Sequence, residues 1–85
     1  MKIELRFFAS MREALQTSQE VIEVPDSVRT VGDVRAFLIG RGGAWAEVLG
    51  PEKNLRMAYD HVMTDASAEI VDGGEVAFFP PVTGG

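Results

Sequence analysis

Lys2-Ile3-Glu4-Leu5-Arg6-Phe7-Phe8 sets the apolar Ile3, Leu5 and Phe7 in alternation with the charged Lys2, Glu4 and Arg6. This period of two places one set of side chains on each face of a strand with a single buried side. Phe8 departs from the pattern. If Ile3, Leu5 and Phe7 face a core, Phe8 follows Glu4 and Arg6 onto the polar face, unless the strand bulges and turns it back under Leu15 as core filler. Glu75-Val76-Ala77-Phe78-Phe79 repeats the arrangement near the other end of the chain, with Val76 and Phe78 inward and Ala77 and Phe79 outward. Placed side by side at the centre of a sheet, the two strands bring Phe8 and Phe79 together, with Arg12 just beyond. Aromatic and arginine side chains are the types enriched in interface hot spots.

The chain between these strands supplies the remaining elements. Ser10-Met11-Arg12-Glu13-Ala14-Leu15 predicts a short helical turn with Ser10 as N-cap and Glu13 completing a capping box. Ile22 and Val24 mark a second strand that ends at Pro25. The main helix starts at Thr30, where Thr30-Val31-Gly32-Asp33 resembles a capping box with Asp in place of Glu. Val31, Val34 and Leu38 form its apolar stripe, with Phe37 beside them, and Gly40, Gly42 and Gly43 end it. A second short helix is expected over residues 44–49, burying Trp45, Val48 and Leu49 before Gly50-Pro51. Residues 55–59 read as a strand, Asp60-His61 as a turn, and Val62-Met63 as a brief strand; Ile70 packs under the loop before the Asp72-Gly73-Gly74 turn. This order predicts an α+β fold, a mixed sheet of about five strands with one main helix packed on one face. The same order is compatible with the ubiquitin-like β-grasp.

At 85 residues the chain has room for one domain with a modest core. The net charge of −5 and the scattering of its eight Lys and Arg residues disfavour nucleic-acid binding. Cysteine is absent, which excludes disulfides, thiolate metal sites and a thiol nucleophile on this chain. No apolar run reaches a membrane span, and the charged first strand does not resemble a signal peptide, so a cytoplasmic location is expected. Own catalysis is poorly supported: the single histidine, His61, sits at a turn, and Asp60, Asp65, Glu69 and Asp72 read as solvated turn residues. No Gly-Lys-Ser/Thr follows Gly40, Gly42 and Gly43, so they form no phosphate loop.

Pro80-Pro81 stops the last strand, because proline cannot donate a ladder hydrogen bond. The expected organisation is a domain over residues 1–80 and a flexible tail over 81–85 that ends on Gly84-Gly85. A terminus without side chains passes through a narrow channel, but a bare α-carboxylate is a poor electrophile and needs a partner to activate it. The alternative is an unpinned end with no function.

Residues 72–85 resemble the C-terminal signature of the molybdopterin synthase small subunit, the MoaD family of sulfur carriers with a ubiquitin-like β-grasp fold. Leu5-Arg6-Phe7-Phe8-Ala9, Met11-Arg12-Glu13 and Trp45 resemble the family's pattern elsewhere, although Tyr59-Asp60-His61 stands where relatives commonly read Val-Asn and a polar residue, and Gly73-Gly74 stands for their Gly-Asp. The resemblance implies that an ATP-dependent adenylating enzyme activates the Gly85 carboxylate and that a sulfur donor protein converts the acyl-adenylate to a thiocarboxylate. It further implies that the tail enters the large catalytic subunit, in a heterotetramer of two small and two large subunits, and passes sulfur to cyclic pyranopterin monophosphate. Acyl-adenylate and thiocarboxylate are then transient modifications, and no cofactor is bound permanently. By position, Phe8, Arg12 and Phe79 belong to the docking surface, Pro80, Pro81, Val82 and Thr83 to the partner-binding arm, and Gly84 and Gly85 to the reacting end. A ubiquitin-like modifier joined through Gly85, a thiamine-pathway sulfur carrier and a non-covalent binding module with an idle tail are the alternative readings.

Overall fold

The alternation of Ile3, Leu5 and Phe7 becomes strand β1 (Lys2–Phe7), in which these residues are at most 1% exposed. Elements then follow in the order α1 (Ser10–Leu15), β2 (Gln19–Glu23), α2 (Val31–Ile39), α3 (Gly43–Leu49), β3 (Arg56–Tyr59), β4 (Val62–Thr64) and β5 (Glu75–Phe79). The structure is a computed structural model and describes residues 1–80; the expectations placed on Pro81, Val82, Thr83, Gly84 and Gly85 lie outside the described residues.

The five strands form one sheet in the order β2-β1-β5-β3-β4. β1 and β5, from opposite ends of the chain, run parallel with Phe7 opposite Phe78, and every other pairing is antiparallel. Helix α2 covers one face through Val31, Val34 and Leu38, all completely buried. This is the α+β, ubiquitin-like β-grasp arrangement, with a five-stranded sheet and its main helix on one face. Phe7 lies under both Phe78, with ring centroids 6.1 Å apart, and Trp45, in an edge contact at 5.5 Å. Trp45 in turn carries the Arg41 guanidinium 4.5 Å from its ring, and Arg41 is held by Glu20 of β2 at 2.6 Å.

The capping box of α2 forms as expected, with the Thr30 hydroxyl accepting from the Asp33 amide at 3.1 Å. The Asp33 carboxylate accepts from the backbone of Arg29 and Thr30, and these bonds hold its pKa below the ordinary carboxylate value. No capping box forms at α1. Its N-cap is Ala9, without a side-chain hydrogen bond, and Ser10 is already helical. Ala9 takes φ 54° and ψ −132°, so the chain turns one residue earlier than the Ser10 side chain requires, and the Met11 and Arg12 amides donate to the carbonyls of Phe8 and Ala9. β2 also begins and ends earlier than Ile22 and Val24 suggest. Val24 lies just beyond it, its amide donating to the Met1 carbonyl.

The loops are fastened by side chains that the sequence presented as solvated. Asp60 Oδ1 accepts from the Glu75 amide at 2.9 Å, Asp72 Oδ1 accepts from the Lys2 amide at 2.6 Å, and Asp65 accepts from Ser67. Asp60 and His61 both have positive φ, 47° and 69°, which gives the two-residue β3–β4 turn the hand that matches strand twist. Arg35 ties the segment after α3 by donating to the carbonyls of Leu49, Gly50 and Lys53.

Gly74 is where absence of a side chain has a definite physical reason. The Tyr59 ring crosses it, and a Cβ there would overlap the Tyr59 hydroxyl and stand 2.6 Å from ring carbon Cζ. The same hydroxyl accepts from the Val71 amide at 2.8 Å. Gly74→Ala should therefore push Tyr59 aside, lose that hydrogen bond and cost about 2 kcal/mol in urea unfolding. In a Tyr59→Ala background the same substitution should cost less than about 0.5 kcal/mol, because the overlap is gone.

Candidate functional site

β1 and β5 are neighbours, so their outward ends meet, and Phe8 stacks on Phe79 with centroids 4.7 Å apart and ring planes 3° from parallel. The pair forms an aromatic plate on the sheet face opposite α2. Phe8 is 37% exposed, which excludes its role as core filler under Leu15, and Phe79 is half-buried by the stack. Ala77 does point to this outer face, yet it is buried, because it sits between Arg6 and Ala58 in the ladder. Directly after the plate comes Pro80, which with Met11, Ala14, Val48 and Leu55 lines an open groove of about 310 Å³. The plate thus stands at the foot of residues 81–85.

Arg12 is exposed on α1, but the guanidinium over the plate belongs to Arg6, 5.9 Å from the Phe8 ring centroid. Strand register also places Arg56 opposite Phe79, and Met63 opposite Ala58, which is itself opposite Ala77. Met63 is 53% exposed and extends the apolar face away from the plate. Sequence reading missed Arg6, Arg56 and Met63. The signal for Arg6 was present in the strand alternation, whereas Arg56 and Met63 reach this face only through the register of the β3 pairings.

The described residues hold no group of three or more His, Asp or Glu side chains that could bind a metal ion. His61 is 81% exposed in its side chain, with Nδ1 3.6 Å from Glu75 Oε2. Among the described residues no helix is long and apolar enough to cross a membrane. Among the described residues, a five-stranded β-grasp sheet carrying a stacked aromatic pair just before Pro80 defines a domain of the ubiquitin-like class.

The ThiS family matches residues 5–85. The molybdopterin synthase sulfur carrier subunit of Escherichia coli is 37% identical, over 98% of this chain and 99% of its own length. Small archaeal modifier protein 3 of Haloferax volcanii is 38% identical, with 100% of both chains covered. Among solved structures, small archaeal modifier protein 1 of Haloferax volcanii superposes with a TM-score of 0.79 at 27% identity, with all of both chains covered. The chain belongs to the ThiS family and, within it, to the MoaD-type sulfur carriers.

Proposed function

We propose that this chain is the sulfur-carrying small subunit of a molybdopterin synthase, with Gly85 as its reacting end. An ATP-dependent adenylating enzyme joins the Gly85 carboxylate to the α-phosphorus of ATP with release of pyrophosphate, and the acyl carbon then exchanges its bond to the adenylate oxygen for a bond to sulfur, releasing AMP. The leaving group overcomes the poor electrophilicity of the bare carboxylate. The thiocarboxylate end next enters the large catalytic subunit, where its sulfur forms a bond to cyclic pyranopterin monophosphate and the acyl C–S bond is broken by water, which returns Gly85 to the carboxylate. Phe8, Phe79 and Arg12 contribute the docking surface, Pro80, Pro81, Val82 and Thr83 the arm, and Gly84 the slenderness that a narrow channel requires. The observation that carries this reading is the stacked Phe8–Phe79 plate immediately before Pro80, on a chain from the MoaD-type carriers.

Incubation with ATP, the adenylating enzyme and a sulfur source should raise the intact mass by about 16 Da, as sulfur replaces one oxygen on a chain with no cysteine to modify. No shift under those conditions would rule the carrier reading out. The 38% identity to an archaeal modifier protein favours a second use of the same end, an isopeptide bond from Gly85 to a lysine of another protein. Adducts one carrier heavier than their protein targets, dependent on Gly85, would mark that use.

A further inference from the structure

We infer that the outer sheet face is electrically polarised, and that its cationic, aromatic end docks a protein surface bearing carboxylates around an apolar pocket. This rests on the carrier reading above and adds the chemistry of the partner. On a chain of net charge −5, the end of the face nearest Pro80 carries the guanidinium groups of Arg6, over Phe8, and Arg56, opposite Phe79. Arg12, on the helix that follows Phe8, is exposed as well. Among the described residues neither Arg12 nor Arg56 has a carboxylate within ion-pair distance, while Arg6 has only a loose contact with Glu75 at 4.0 Å. Toward the other end of the face Glu4 stands opposite Glu75 across β1 and β5, and Glu23 stands opposite Lys2, so three carboxylates there outnumber the one lysine.

Such an arrangement attracts an acidic patch to one end only. It therefore fixes how a partner approaches as well as whether it does, and the approach it favours brings the partner to the foot of the arm. Complementary charge of this kind acts chiefly on the association rate and on discrimination between partners, while the desolvated aromatic plate supplies most of the holding energy. Arg6 and Arg56 are on this view specificity residues, distinct in effect from Phe79.

The test measures association and dissociation rates of the full-length chain with the large catalytic subunit of molybdopterin synthase from the same organism, at low and high salt. Arg56→Glu and the Arg6→Gln/Arg56→Gln pair should each lower the association rate at low salt by about tenfold or more and flatten its salt dependence. Arg29→Gln, remote from this face, should leave both unchanged. Phe79→Ala should instead raise the dissociation rate. Unchanged association in both arginine variants, with the wild type binding normally, overturns the inference and leaves the carrier reading standing. A wild type that does not bind the large subunit overturns both. A wild-type dimer that Arg56→Glu converts to monomer without altering large-subunit association overturns it in favour of a second copy of this chain.

Discussion

A chain lacking Gly85 is expected to lose sulfur transfer completely within the range of measurement, a fall of more than about a thousandfold. The shortened chain still ends on a glycine carboxylate, Gly84, so its terminal group has the same chemistry and the same slenderness. It differs in reach, by one extended residue of about 3.4 Å. Misplacement of reacting atoms by about 1 Å already costs on the order of a hundredfold in rate, and a partner that grips the domain at the Phe8–Phe79 plate has no means of pulling the end further in. Both adenylation and transfer should fail, and they can be measured separately: the first by the mass gain, the second by supplying a chemically prepared thiocarboxylate to the large subunit. Thermal unfolding should not change, since the buried cluster from Ile3 to Phe78 is untouched. Full retention of large-subunit affinity together with an activity that never depended on Gly85 would support a non-covalent binding module.

Legibility in the sequence followed the range of the interaction that decides each feature. β1, β5 and α2 were readable because side-chain periodicity and the Thr30/Asp33 box are local signals. The start of α1 was not, since the positive φ of Ala9 moves the cap off Ser10, and nothing about an alanine announces that conformation. β2 begins on Gln19 and Glu20, polar residues that become strand through pairing with Arg6 and Leu5 rather than through their own preferences. The same division holds at the site. Phe8 and Phe79 could be named from two local alternations, and their meeting needed only the parallel β1–β5 pairing. Arg56 and Met63 depend on the additional registers of β3 with β5 and with β4, which no spacing in the sequence records.

Phe78→Ala and Phe79→Ala, one residue apart on the same strand, should fail in opposite ways. Phe78 is fully buried and stacked against Phe7, so truncating it opens a cavity in the centre of the core and should cost about 3–5 kcal/mol. A domain of this size has a total stability of roughly 4–13 kcal/mol, so the loss takes from about a quarter to all of it, visible as a large drop in urea midpoint. Phe79 lies on the other face, half-buried against Phe8, and its truncation should cost the fold about 1 kcal/mol. Its expected effect is on binding: a loss of about 2 kcal/mol or more of large-subunit affinity, roughly thirtyfold. Phe79→Leu, which keeps apolar bulk but loses the parallel stack, should fall between wild type and alanine in affinity while unfolding like wild type. Equal destabilisation by Phe78→Ala and Phe79→Ala would place both rings in the core and remove the plate as a docking surface. Opposite failures would show that the β5 pleat separates, within two adjacent phenylalanines, the ring that holds the domain together from the ring that presents its arm to a partner.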